Sequence, residues 1–72
     1  MSTKTSLSTA LRILRECKGW TQAEAANRMD ISTRALITYE QGKRTPPVAT
    51  LQAIADAFGM SVGALASFDV SR

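Results

Sequence analysis

Short apolar segments, each bounded by residues that begin or end helices, restrict the fold of this chain more than any other feature. In the first segment apolar side chains recur every three or four residues from Leu7 to Cys17, and Gly19 follows. Ser6 and Ser8 are the two candidate N-caps of this helix. A glycine just past the last apolar turn is typical of a helix end, because glycine adopts the left-handed conformation without strain. No segment alternates with a period of two over the length of a strand, so the pattern predicts an all-α fold.

The same signals predict further helices along the chain. Thr21 and Glu24 have the spacing of a capping box, in which each side chain bonds the backbone of the other residue. The helix that they begin ends near Met29, and Asp30 lies in a tight turn, where it is one of the few residues that tolerate a positive φ. Two later helices are marked by Leu51, Ile54, Ala55, Phe58 and Gly59, and by Ser61, Val62 and Leu65.

Length and composition indicate one small globular domain. The chain has 72 residues, and 44% of them are hydrophobic, which is normal for a globular protein and too high for a disordered one. We predict a flexible tail over residues 1–6, a helical domain over residues 7–66 and a C-terminal tail over residues 67–72.

The residue inventory argues against an enzyme. The chain contains no histidine and a single cysteine, Cys17, so it has neither a zinc-binding set nor a cysteine–histidine pair. It has no glycine-rich phosphate loop either, and its six acidic residues are scattered. We therefore expect no catalysis, no metal and no cofactor. We also expect a cytoplasmic protein without a membrane partner, because there is no signal peptide and no apolar run of about 18 residues.

Charge and helical periodicity point instead to a macromolecular partner. Residues 1–44 contain eight basic and four acidic side chains, and a basic half is a weak indication of a polyanionic partner. Ser32 predicts the start of a helix from Thr33 to Gln41, with Gly42 beyond its end. On a helical wheel one side of this helix contains Ala35, Leu36 and Tyr39, with Glu40 at the edge. The opposite side contains Thr33, Arg34, Ile37, Thr38 and Gln41, within an arc of roughly 140°.

Such an outward face is suited to DNA. Arginine can bond guanine through two hydrogen bonds, threonine can bond base edges, and an apolar side chain can contact the thymine methyl group. A short helix, a tight turn and a second short helix also form the layout of a helix-turn-helix.

The chain resembles the Cro/C1-type helix-turn-helix family, also called XRE-like, over about residues 7 to 66. The resemblance implies a five-helix, lambda-repressor-like fold. Many positions match in register, and they are Leu14-Arg15, Thr21-Gln22, Ala26, Ser32, Leu36, Tyr39-Glu40, Gly42, Pro46, Leu51, Ile54-Ala55, Phe58-Gly59 and Ser61.

The same resemblance implies roles for individual residues. The third helix would lie in the major groove, with Thr33, Arg34 and Thr38 reading bases. Ile37 would contact DNA or a protein partner, unless it is half-buried at the helix edge. The expected contacts to phosphates would be made by Gln22, Ser32, Gln41, Lys43 and Arg44. The alternative for each of these positions is an ordinary solvated surface residue, and Gln22 could also support the third helix.

Some positions are implied to be structural, and some depart from the family pattern. Arg15 and Glu40 match an ion pair between the first and third helices. Ala25 stands where the family usually has leucine, and the large Trp20 is expected to fill the space. The turn usually has glycine in place of Asp30, and the fourth helix usually has a polar cap in place of Pro47.

Together these expectations predict a sequence-specific transcriptional regulator, specifically a repressor, that binds a pseudo-palindromic DNA operator as a homodimer through the third helix. The predicted dimer interface is the apolar C-terminal end, comprising Met60, Val62, Leu65, Phe68 and Val70; alternatively, Leu65 and Phe68 complete the core. A second reading is an antitoxin or adaptor whose main partner is a toxin or another protein. A third reading is a structural nucleoid protein. It predicts poor sequence specificity, and the uncharged base-reading candidates Thr33 and Thr38 argue against it.

Overall fold

The computed structural model describes residues 6–67, and these residues form five helices. The helices are α1 (Leu7–Lys18), α2 (Gln22–Met29), α3 (Thr33–Glu40), α4 (Val48–Phe58) and α5 (Val62–Ala66). The all-α prediction is confirmed, and α3 ends one residue earlier than predicted, because Gln41 is its C-cap. None of these helices is long and apolar enough to cross a membrane.

Side-chain caps fix where most of the helices begin. At the start of α1, Ser6 and not Ser8 is the cap, and its Oγ accepts a hydrogen bond from the Thr9 backbone N–H. The predicted capping box of α2 is present: the Glu24 N–H donates to Thr21 Oγ1 at 3.1 Å, and the Thr21 N–H donates to Glu24 Oε1 at 3.0 Å. These bonds satisfy backbone donors that would otherwise lack a partner within the helix.

Not every helix start uses a side chain. Ser32 and Ser61 cap α3 and α5 as predicted, through bonds of 3.0 Å from the backbone N–H groups three residues later. Pro47 occupies the N-cap position of α4 and makes no side-chain capping bond there. Its fixed φ of −60° is nevertheless compatible with a helix start, so α4 begins directly after it.

Left-handed residues end three of the helices. Gly19 and Gly59 follow α1 and α4 with φ angles of 74° and 72°. Asp30 takes the corresponding place after α2 with a φ of 59°, and its backbone N–H donates to Asn27 O at 3.2 Å. The aspartate therefore preserves the turn that the family pattern assigns to glycine, at the steric cost that a Cβ carries in this conformation.

Every helix contributes a fully buried side chain to one core. The largest buried side chains come one from each helix, and they are Leu11, Met29, Leu36, Ile54 and Leu65. Full burial of an aliphatic side chain stabilises the fold by about 1.5–3 kcal/mol. The core therefore fixes the position of each helix relative to the other four.

The position of Leu65 corrects one part of the predicted dimer interface. Leu65 is only 1% exposed, because it completes the core, so its side chain is not available to a second subunit. Met60 and Val62 are half-buried and pack against the same core. Phe68 and Val70 lie outside the described residues. Any interface at this end therefore depends on residues other than Leu65.

Trp20 joins the α1–α2 junction to α4. Its ring stacks on Phe58 with a centroid distance of 5.8 Å and an angle of 11° between the planes. The Arg28 guanidinium lies 4.6 Å from the Trp20 ring centroid, which is cation–π geometry. Trp20 packs against the cluster that contains the fully buried Ala25, where the sequence predicted that it would fill space.

Candidate nucleic-acid interface

The α2 and α3 helices form a helix-turn-helix. Only residues 30–32 separate the end of α2 from the start of α3. Met29 and Leu36 are both almost completely buried, so each helix is held to the core through its inner face. The opposite face of α3 is directed away from the core, and its side chains do not belong to the core cluster.

The outward face of α3 is exposed at its two ends and half-buried between them. Thr33 and Arg34 in the first turn are exposed, and so is Gln41 just beyond the last turn. Ile37 and Thr38 are half-buried, although the wheel placed Ile37 near the centre of the outward arc. A wheel gives the direction of a side chain and not its coverage by neighbours, so the half-buried alternative for Ile37 is the one that the structure supports.

The α3–α4 loop brings basic side chains beside this face. Arg34 and Arg44 both line a cleft of about 260 Å³, together with Thr38 and three further residues, Ser32, Ala35 and Tyr39. Lys43 and Arg44 are exposed in the loop. Among residues 6–67 the one ion pair joins Arg15 to Glu40. Arg34, Lys43 and Arg44 therefore contact no acidic side chain within this part of the chain. Their uncompensated charge makes the surface attractive to a polyanion.

The start of the same loop lies against the N-terminus of α1. Gly42 has a φ of 74°, and a Cβ at this position would lie 3.3 Å from Ser8 Oγ. Arg44 and Tyr39 line a second cleft here, of about 200 Å³, which also includes Ser8 and Thr45. The glycine thus allows both the left-handed turn and the close approach that place Arg44 beside α3.

A partly buried ionic network holds the C-terminal end of α3. Arg15 Nε donates to Glu40 Oε2 at 2.7 Å, and Arg15 Nη2 lies 3.3 Å from Glu40 Oε1. The third guanidinium nitrogen, Nη1, donates to the Trp20 carbonyl at 2.9 Å. The Arg15 and Glu40 side chains are only 13% and 5% exposed. The ion pair predicted between the first and third helices is therefore confirmed.

Gln22 extends this network to α2. Its Nε2 donates to Glu40 Oε1 at 3.2 Å, so the glutamine supports α3, one of the two roles expected for it. A primary amide has two N–H donors and an acceptor oxygen. The bond to Glu40 uses one donor, which leaves the second donor and the oxygen for a further partner.

The hydroxyl groups of Ser32 and Thr38 differ in the hydrogen bonds that they can still form. Ser32 Oγ accepts from the Ala35 N–H, so its hydroxyl proton is still available for donation. Thr38 Oγ1 instead donates to the Arg34 carbonyl oxygen at 2.9 Å. This bond was not predicted from the sequence, although a threonine inside a helix often donates to the carbonyl oxygen four residues earlier.

The chain is similar in sequence to known helix-turn-helix proteins. Residues 6–68 match the family described as helix-turn-helix domain. An uncharacterized HTH-type transcriptional regulator of Mycobacterium bovis is 34% identical over 58 residues, which cover 81% of this chain and 23% of that protein. A regulator of the same description from Mycobacterium tuberculosis matches equally well. The chain thus spans less than two thirds of the length of these curated relatives.

Solved structures share the fold. The DNA-binding domain of the P22 c2 repressor superposes with a TM-score of 0.87 at 22% identity, over 96% of this chain and 91% of that one. The clp gene regulator ClgR from Corynebacterium glutamicum superposes with a TM-score of 0.75 at 32% identity, over 82% of this chain and 63% of that one. The arrangement of all five helices therefore occurs in other proteins.

Proposed function

Given that the chain belongs to the Cro/C1-type helix-turn-helix family, we propose that it represses transcription by binding a pseudo-palindromic DNA operator as a homodimer. The observation that carries this proposal is the juxtaposition of Arg34 on α3 with Arg44 on the following loop, where the exposed Lys43 precedes Arg44 and none of the three has an acidic partner among the described residues. The P22 c2 repressor, which shares the fold, has been crystallised in complex with a synthetic operator.

Base recognition is assigned to the exposed first turn of α3 and the residues that follow it. The major groove of B-DNA, about 12 Å wide, admits an α-helix. Arg34 is exposed and donates no described side-chain hydrogen bond, so its guanidinium can bond guanine O6 and N7 together. Thr33 lies beside it at the N-terminus of α3, and the half-buried Ile37 can contact a thymine methyl group from its exposed edge.

Phosphate contacts are assigned to the rim of this face. Lys43 and Arg44 supply positive charge at the C-terminal side of α3, with Gln41 next to them. Gln22 and Ser32 stand at the starts of α2 and α3, and each retains a proton to donate. Helix N-termini favour phosphate because their backbone N–H groups and dipole face the anion.

The homodimer would place two α3 helices in successive major grooves, about 34 Å apart on one side of the DNA. The half-buried Met60 and Val62 remain candidates for the contact between subunits, with Phe68 and Val70 beyond them in sequence. Analytical ultracentrifugation with and without operator DNA measures this part of the proposal directly. A single protein chain per operator at saturation would refute the dimer.

Selection of bound sequences from a random DNA pool tests the proposal as a whole. We expect an enriched half-site that recurs as an inverted repeat. Enrichment of no sequence, or binding with equal strength to all sequences, would refute a sequence-specific regulator. Retention of one stoichiometric protein partner together with no binding to DNA would favour the antitoxin or adaptor reading instead.

Substitutions then separate base contacts from phosphate contacts. Arg34→Ala is expected to weaken operator binding by about 1–3 kcal/mol and to relax the preference at one base pair. Lys43→Ala is expected to weaken binding to all sequences alike and to reduce the slope of log K against log salt by about one unit. Lys18→Ala, which removes an exposed positive charge at the end of α1, is the matched control and should leave this slope nearly unchanged.

A further inference from the structure

The hydroxyl group of Thr38 is committed to the backbone of its own helix. Its only proton lies in the 2.9 Å hydrogen bond to the Arg34 carbonyl. The side chain nevertheless lines the cleft between Arg34 and Arg44, where a nucleic acid would lie if the proposed function is right. A hydroxyl whose proton is used still has a lone pair, so Thr38 faces this cleft as a hydrogen-bond acceptor.

An acceptor discriminates sharply among the groups that DNA presents. Phosphate oxygens accept hydrogen bonds, and so do guanine O6 and N7 and thymine O4, so none of these can bond the committed hydroxyl. The donors in the major groove are the exocyclic amino groups, N6 of adenine and N4 of cytosine. We propose that Thr38 accepts a hydrogen bond from such an amino group and thereby selects an amino base over a keto base at one operator position.

Arg34 complements this selection, because its guanidinium can only donate. Residues four apart lie on the same helix face, about 6 Å apart along the axis. This separation is within two base-pair steps of about 3.4 Å. The half-site therefore contains a guanine contacted by Arg34 and, one or two positions away, an adenine or cytosine contacted by Thr38.

The test starts from the selected operator and removes single functional groups from its bases. Replacing adenine by purine, or cytosine by 2-pyrimidinone, deletes the amino group; replacing thymine by uracil deletes the methyl group. Thr38→Val removes the acceptor and keeps the branched shape, whereas Thr38→Ser keeps the hydroxyl and removes the methyl group. Dissociation constants are measured for all protein and DNA pairs, and the melting temperature of each variant checks its folding.

The inference predicts a specific coupling. Amino deletion at one position should weaken wild-type binding about three- to tenfold, the worth of a single hydrogen bond. The Thr38→Ser protein should show the same loss, and the Thr38→Val protein should show none at that position. Should Thr38→Val not fold, Thr38→Ala also removes the acceptor, so it should likewise show no loss at that position.

Two results overturn the inference while leaving the proposed function intact. In the first, amino deletion weakens wild type and Thr38→Val equally at every position, although Arg34→Ala still relaxes a guanine preference. In the second, uracil for thymine weakens wild type but not Thr38→Ser, which would assign the contact to the threonine methyl group. A protein that selects no operator at all would overturn the proposed function, and this inference with it.

Discussion

Replacing Glu40 by alanine should destabilise the fold far more than an average surface substitution. The change removes the carboxylate that two nitrogens of Arg15 contact, at 2.7 and 3.3 Å, and that Gln22 contacts at 3.2 Å. The Arg15 side chain, 13% exposed, would keep only its bond to the Trp20 carbonyl. A charge is thus left largely buried without a counter-charge.

The size of the effect follows from this burial. Removing one partner of a buried ion pair costs about 3–5 kcal/mol. The remaining bond of Arg15 and its partial exposure place the expected cost near the lower bound, at about 3 kcal/mol. A domain of this length has a free energy of unfolding of roughly 4–11 kcal/mol, so the loss is a large fraction of the total.

Urea unfolding followed by far-UV circular dichroism measures this cost, and thermal unfolding should show a melting temperature lower by about 12 °C or more. Glu16→Ala, at an exposed position of α1, is the matched control and should change stability by less than about 0.5 kcal/mol. The double variant Arg15→Met/Glu40→Leu leaves no charge unpaired, so it should be more stable than Glu40→Ala. A cost for Glu40→Ala below about 1 kcal/mol, or a double variant less stable than Glu40→Ala, would refute the reasoning.

Two further substitutions test the backbone around the interface. Gly42→Ala should destabilise the domain more than Gly19→Ala, by circular dichroism melts, because both residues have a φ of 74° but only the new Cβ at position 42 would crowd Ser8 Oγ. Equal losses would show that this contact relaxes freely. Asp30→Gly should raise stability by about 1 kcal/mol, since it relieves a non-glycine residue with a φ of 59°. Asp30→Asn removes the same charge and keeps a Cβ, so an equal gain from it would assign the effect to charge.

Local signals predicted the helices well because their boundaries depend on neighbouring residues alone. The capping box of Thr21 and Glu24 and the left-handed Asp30 required only knowledge of nearby backbone groups. The family resemblance, now confirmed, supplied what spacing could not, namely that Arg15 would meet Glu40, twenty-five residues away in sequence. Such long-range pairs depend on how helices pack, and periodicity does not encode packing.

The features that the sequence did not predict also depend on how side chains pack and bond in the folded chain. The sequence predicts Leu65 at an interface, with the core as the alternative, because the C-terminal end is more apolar than a small monomer needs; the structure supports the alternative, since Leu65 is buried in the core. The bond from Thr38 to the Arg34 carbonyl changes what the candidate site can recognise, yet residue type alone does not reveal it. The stack of Trp20 on Phe58 joins residues that no local pattern connects.

The division of α3 into a buried and an outward face also bears on how such proteins diversify. Leu36 and Glu40 hold the helix in place, whereas Thr33 and Arg34 in its first turn contribute nothing to the core. On the proposed function, substitutions at the outward positions would alter the preferred DNA sequence with little loss of stability, so new specificities would be accessible to mutation one residue at a time. The P22 c2 repressor domain, with the same fold at 22% identity, illustrates how widely sequence can vary on this scaffold.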